Sequence, residues 1–465
     1  MRSSLFFWAL FFSILCVSPS KADVPVHIFP APAGEPLSDR FVVTVEDQNV
    51  PVYIAKVSAM ASVKPEIRQD GEAAFASFDI SGSVKVSVKY PQPIQSAKIL
   101  PSNSGIKPVI SGNQVFFSVS KPTRLTLEIN GDWMNSLHLF VNPFETNIPR
   151  PDDPNVIYYG PGIHKIAPVR VTSGKTVYVA PGAVIYGTPA LNGRDPVFFL
   201  DGSNIVLRGR GIIDGSLIPN PNPFGNILKV HGQNIQVEGV VLRDSCNWTF
   251  QINVSNRVKI NNIKIFGWRE NSDGVDIDNS RDVEVSDSFV RTFDDLIVIK
   301  AEDKGVQGSG DITIKHDVLW NEIAHALSIG AQLRENVDNV VFSDCDIIHD
   351  KGREWLLRVF NTDSGTVRHI IFDDIRIEEA RRLMSLWVGK DNWSEDNERG
   401  VITDVTFRNI QSVDPEYGGR LTELTGFDSK HGIHVVRFEN VTVGGRPFEA
   451  SDVEQNQFVE DVSIK

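Results

Sequence analysis

Between Glu270 and Ala301 the chain carries Asp273, Asp276, Asp278, Asp282, Asp287, Asp294 and Asp295, interleaved with valine and isoleucine at strand-like spacing. Carboxylates packed against β-forming apolar residues repel one another and lose solvation, so such crowding calls for a use. A carboxyl whose pKa is raised by burial and by its neighbours can keep a proton and serve as a general acid. Ionised companions can activate a water, and together these are the equipment of glycoside hydrolysis. The bland reading is that aspartates occupy turns, where they are common, and it is preferred for Asp278, Asp282 and Asp287. Asp273, Asp294 and Asp295 are the candidates for chemistry.

The elements that must position them repeat. Ten short segments share an apolar-polar-apolar pattern, among them "SNIVL", "NRVKI", "RDVEV", "GDITI" and "TDVTF". Their central apolar anchors are Val177, Ile205, Ile235, Val258, Val283, Ile312, Val340, Ile370, Val405 and Val436, at gaps of 23 to 35 residues. One β unit per repeat of that length marks a solenoid, too short for a propeller blade. The expected fold is all-β, a right-handed parallel β-helix over residues 156–465 in which inward Val and Ile stack from coil to coil. Asp273 and Asp294, 21 residues apart, are about one coil apart and so are expected on neighbouring coils, about 4.8 Å from strand to strand. Asp294 and Asp295 would point to opposite sides of a straight strand, so a bend or bulge is expected there.

Residues 23–145 read differently. Runs such as "RFVVTVED", "SVKVSVKY" and "TRLTLEIN", separated by Pro, Gly, Asn and Ser, predict a small antiparallel β-sandwich, expected to cap the apolar end of the solenoid. Residues 146–155, rich in proline and polar residues, read as a linker. Residues 1–22, with Arg2, a 13-residue apolar core and a small residue at Ala22, predict a signal peptide and a secreted or periplasmic product. No apolar run is long enough to span a bilayer. A net charge of −13 argues against a nucleic-acid partner, and 41% hydrophobic residues suffice for a large core. Cys246 and Cys345 are expected either to pair or to stay buried as free thiols.

Five ordered motifs then resemble glycoside hydrolase family 28, the polygalacturonase-like enzymes. "NSDGVD" is similar to the family's N-T-D-G element, "DDLIVIKA" to D-D-x-I-x-I-K, and "HALSIGA" to G-H-G-x-S-I-G-S. "LLRVF" falls where the family carries R-I-K, and "GRGIIDG" upstream is similar to G-x-G-x-I-D-G. The resemblance implies an inverting O-glycosyl hydrolase of plant or algal polysaccharide. Asp294 would be the general acid, Asp273 and Asp295 would hold and deprotonate the attacking water, and His325 would tune the acid or touch substrate. Acid and base of an inverting pair stand about 6.5 to 9.5 Å apart. Asn271, Lys300 and Arg358 would bind sugar by their place in the motifs. The lysine of R-I-K, which helps neutralise a galacturonate carboxylate, is Phe360 here. The sugar is therefore either neutral or an acidic one gripped by other cations such as Lys351 or Arg353.

Trp393 lies in the polar stretch "GKDNWSEDNERG" and is the favoured tryptophan for stacking on a pyranose ring; Trp248, Trp268, Trp320, Trp355 and Trp387 read as packing residues, one of which could join it. No cofactor or metal is expected, and the partner is a polysaccharide or oligosaccharide bound by a monomer. Three other readings remain open on the sequence: a dextranase-like glucan hydrolase of family 49, a polysaccharide lyase holding calcium on Asp273, Asp276 and Asp278, and a glycan-binding solenoid without turnover.

Overall fold

A computed structural model describes residues 25–58, 70–190, 195–219, 225–415 and 421–465. The leader expected over residues 1–22 lies outside them. Apart from two single-turn 3-10 helices, the regular elements among the described residues are β-strands. Among the described residues no helix is long and apolar enough to cross a membrane.

From Val156 to Ile464 the described residues form thirty strands wound into one continuous solenoid, paired in parallel from coil to coil except for the short antiparallel pair of Thr442–Val443 with Arg446–Pro447. The anchors Ile205, Ile235, Val258, Val283, Ile312, Val340, Ile370, Val405 and Val436 pair in succession as one buried column. Val177 instead pairs with Leu207, two residues along, which keeps the same inward face because side chains alternate with period two. Farther along, Phe342, Phe372, Phe407 and Phe438 stack with ring centroids 4.7, 4.9 and 5.3 Å apart.

The residue before each of these anchors, polar in every case but Val435, has a conformational reason. Asn204, Asn234, Arg257, Asp282, Asp311, Asn339, His369, Asp404 and Val435 have φ of 53 to 58°, the left-handed turn that ends one strand face and starts the next. Asn and Asp tolerate that region better than other residues because their short side chains bond the local backbone. Asn262, Asp287, His316, Asp344, Asp374, Asn409 and Asn440 repeat the device at a second corner. Asp282 and Asp287 are thus turn residues.

Ahead of the solenoid, a six-stranded and a five-stranded sheet face each other over a shared core that includes Val43, Val86, Val88, Phe78, Leu127 and Leu139. The pairing is antiparallel except where Asp132–Pro143 runs parallel to Asp70–Ile80, a departure from the expected all-antiparallel sandwich. The six-stranded sheet lies along the solenoid's flank and does not cap its end. Phe75, Leu100 and Phe140 join a buried cluster with Val184, Ile212, Val241, Phe266, Phe289, Val318 and Trp320, which come from successive coils. Phe75 stands 5.4 Å from Phe266, and Phe140 stands 5.3 Å from Phe289. Buried ion pairs cross the same contact, Arg243 with Glu35 at 2.6 Å and Arg210 with Asp79 at 3.2 Å. The short strands of this face are apolar outward as well as inward, which requires a covering layer. Cys246 and Cys345 are buried free thiols.

Candidate active site

The strand Val275–Asp278 pairs with Ile297–Ala301 so that Val275 meets Ile297 and Asp278 meets Lys300. Two residues upstream that register sets Asp273 beside Asp295, and the Gly274 amide donates to the Asp295 carbonyl at 2.7 Å. The 21-residue spacing puts Asp273 and Asp294 on neighbouring coils, and the residue in register with Asp273 is Asp295, one position beyond Asp294. A bend over Phe293 and Asp294 supplies the difference. It is held where the Thr292 hydroxyl donates to the Asp294 carbonyl at 3.1 Å and the Asp295 amide donates to Asp294 Oδ1 at 3.1 Å. Each of the three carboxylates thereby offers one oxygen within 4.8 Å of the other two. That is tighter than the gap expected between an inverting acid and base.

The three differ in environment. Asp294 is half-buried at the open side, whereas Asp273 and Asp295 are buried in the floor. Burial pushes Asp294 up to about 7, aided by Asp295 and opposed by Lys300. Burial also raises Asp295, to about 6, against the pull of Lys300, the His325 amide and Arg358. Asp273 is held well above the usual carboxylate range by burial first, then by Asp276, Asp294 and Asp295. Asp276, fully buried behind it, is also held well above the usual range, by burial first and against the pull of Lys300. Asp278 is otherwise engaged, accepting from the Glu302 amide at 2.9 Å and from Asn253 at 2.9 Å. The Asp273, Asp276 and Asp278 set proposed for calcium is therefore not the one that converges. The converging set is Asp273, Asp294 and Asp295.

The next coils continue the site. Leu296 donates its amide to the His325 carbonyl, and the His325 amide donates to Asp295 Oδ1 at 3.1 Å. His325 Nδ1 lies 2.6 Å from the Trp355 carbonyl, which can only accept, so Nδ1 carries the hydrogen. Nε2 is then the acceptor for Arg358 Nη1 at 3.3 Å. Burial, followed by the nearby Arg358 charge, pulls the imidazole down to about 3, so His325 is neutral and positions Arg358 and Asp295 without holding a mobile proton. Arg358 also donates to Glu354 at 3.3 Å and lies 4.3 Å from the Phe360 ring centre. Lys300 reaches Gln332 at 3.2 Å and lies 4.7 Å over the Trp248 ring. Burial disfavours its charge, but Asp276, Glu302, Asp273 and Asp295 outweigh that and raise its pKa overall.

These groups line one open cleft of about 580 Å³, room for a sugar unit and its neighbours. Asn271, Asp273, Asp294, Asp295, Lys300, His325, Arg358 and Trp393, the eight residues singled out from the sequence, all face it. Trp393 is 59% exposed at its edge. The loop that carries it is pinned where the amides of Glu395 and Asp396 both donate to Asp363 Oδ1 at 2.7 Å. Arg353 also lines the cleft, but Lys351 does not; it pairs with Glu379 and covers Trp133 of the front sheets. Trp320 is buried in the inter-sheet contact, and Trp268 donates to Asp244 at 2.8 Å. Of the five tryptophans read as packing, Trp248 is the one that joins Trp393 on the wall, and sequence reasoning missed Glu270, Gln332, Glu354 and Asp391. Only Glu354 carried a signal, four residues before Arg358 in "EWLLR". Gln332 reaches the cleft through a bulge after Ile329, where the register with Ile297–Ala301 shifts.

The profile of Glycosyl hydrolases family 28 matches residues 221–453, half of the chain and the half that holds this cleft. The chain belongs to that family. Among curated relatives, a protein described as Polygalacturonase from Juniperus ashei is 26% identical over 215 residues, 43% of this chain and 40% of the relative. Another Polygalacturonase, from Cryptomeria japonica, is 24% identical over 259 residues, 49% of this chain and 48% of the relative. The chain thus spans less than half the length of these two. Among solved structures, Dex49A from Penicillium minioluteum superposes with a TM-score of 0.62 at 13% identity, over 94% of this chain and 96% of that one. The hyperthermoactive exopolygalacturonase from Thermotoga maritima gives 0.51 at 17% identity, over 66% and 84%. These two likenesses show the fold alone, a parallel β-helix. The broad coverage by Dex49A takes in the front sheets as well.

Proposed function

We propose that this family 28 member is an exported glycoside hydrolase that cleaves a plant or algal polysaccharide in a single inverting displacement. Asp294, half-exposed and raised to about 7, is the general acid that protonates the glycosidic oxygen. Asp295 is the base: the His325 amide, Lys300 and Arg358 favour its ionised form. Asp273, beside it, holds the attacking water. Arg358, set by His325 and Glu354, and Lys300, set by Gln332, bind sugar oxygens next to the scissile bond. Trp393 and Trp248, both lining the cleft, offer flat faces for adjoining rings. Asn271, exposed at the mouth with a φ of 58°, offers its amide to the same chain of sugars.

The observation that carries this reading is the meeting of three carboxylates within 4.8 Å in an open cleft. The distance alone does not favour inversion, because it lies nearer the roughly 5 Å of retaining pairs. Family membership carries that part, and proton NMR of the first-formed anomer tests it. The function as a whole is tested by incubating the full chain with pectic, algal and α-glucan polymers and detecting new reducing ends. Turnover in the presence of chelator, lost in Asp294→Asn while glycan binding persists, is the expected result. An unsaturated product absorbing in the ultraviolet, or equal behaviour of the variant, contradicts it. Export is tested by finding the chain outside the cytoplasm with residues 1–22 removed.

A further inference from the structure

We infer that the sugar bound at the scissile position is neutral and that Phe360 enforces this choice, an inference that rests on the hydrolase reading above. Three cations line the cleft among the described residues, and each already has a carboxylate partner. Arg358 lies 3.3 Å from Glu354, Arg353 lies 3.6 Å from the other oxygen of Glu354, and Lys300 lies 3.8 Å from Glu302. Against these three stand Glu270, Asp273, Asp294, Asp295, Glu354 and Asp391 on the same walls. Protons on Asp273 and Asp294 still leave more carboxylates than cations. A uronate ring brought here would lose its water shell and meet a surplus of like charge, with no unshared cation to receive it.

Phe360 turns this imbalance into a choice. It follows Arg358 by two residues on one strand, so both side chains leave the same face. Its ring meets His325 edge-on with centroids 5.2 Å apart, lies under the Arg358 guanidinium, and presents an apolar wall to the cleft. An apolar edge beside a guanidinium suits the C–H face and hydroxyls of a neutral pyranose. The ring itself offers nothing to a carboxylate, and the guanidinium over it is already shared with Glu354.

The test uses polymers that differ only in charge. Polygalacturonate and alginate are compared with their carboxyl-reduced forms, in which each C6 carboxylate becomes a primary alcohol and the linkage is unchanged, and dextran and arabinogalactan serve as further neutral probes. The wild-type chain is expected to release reducing ends only from neutral polymers, or at least tenfold faster from a reduced polymer than from its parent. Phe360→Lys, which adds an unshared cation on that face, is expected to narrow the ratio at least threefold towards the charged parent. A uronide cleaved as fast as or faster than its reduced form overturns the inference and leaves the hydrolase reading intact. Cleavage of no polymer in either set overturns both. The wild-type ratio needs no variant, so it decides the matter even if Phe360→Lys fails to fold.

Discussion

Replacing Asp295 by asparagine should make the protein more stable while abolishing its turnover. Burial raises this carboxyl from 3.8 to about 6. Below pH 3.8 it is protonated in both folded and unfolded chains and costs nothing. Between 3.8 and 6 only the unfolded chain ionises, so the native state loses stability as pH rises, and above 6 the full penalty is present. At 1.36 kcal/mol per pKa unit the penalty is roughly 3 kcal/mol, and relaxation within the coupled cluster lowers it to about 1–3 kcal/mol. Asparagine removes the charge, keeps the volume, and can still accept the His325 amide through its carbonyl oxygen. Urea unfolding at pH 7.5 and pH 3.5 measures the difference. The variant should gain about 1–3 kcal/mol at pH 7.5 and nothing at pH 3.5. A loss at pH 7.5, or an equal gain at both values, would refute the claim that burial holds the Asp295 carboxyl above its ordinary value at a cost to the fold.

Other outcomes follow from the same geometry. The pH profile of kcat/KM should be bell-shaped, needing Asp295 ionised above about 6 and Asp294 protonated below about 7, with both limbs belonging to the cluster; a flat profile from pH 4 to 9 contradicts the assignment. Arg358→Gln removes the charge that helps to depress His325, so the imidazole should titrate at higher pH by histidine-labelled NMR, and kcat should fall about 100-fold; an unmoved imidazole would separate the two residues. Trp393→Ala removes one stacking face worth about 1 kcal/mol, which should raise KM about fivefold with kcat nearly unchanged; an unaltered KM would place the sugar elsewhere.

Much of this architecture is legible in the chain because the solenoid repeats one physical solution. The anchors from Ile205 to Val436 form a single column, and the left-handed residue before each explains why Asn or Asp recurs there. The register at the site is less legible. Whether Asp273 meets Asp294 or Asp295 depends on how the bend at Phe293 and Asp294 is taken up, and spacing alone cannot fix a bend. Gln332 enters the cleft through a bulge, and Trp248, Glu270 and Asp391 enter through turns whose reach is set by tertiary packing. The flank contact was hidden for another reason. Phe266, Phe289 and Val318 sit in short strands that are apolar on both faces, and such a run reads as solenoid core when half of it awaits a covering sheet.

The most direct test of the hydrolytic centre is a crystal structure of Asp294→Asn soaked with an oligosaccharide of whichever polymer the wild-type chain cleaves. The account predicts a glycosidic oxygen within about 3 Å of the residue 294 side chain, with a water between residues 273 and 295 on the opposite side of the ring. A glycan lying across the cleft with its linkages out of reach of residue 294, or bound to another face of the solenoid, would contradict it.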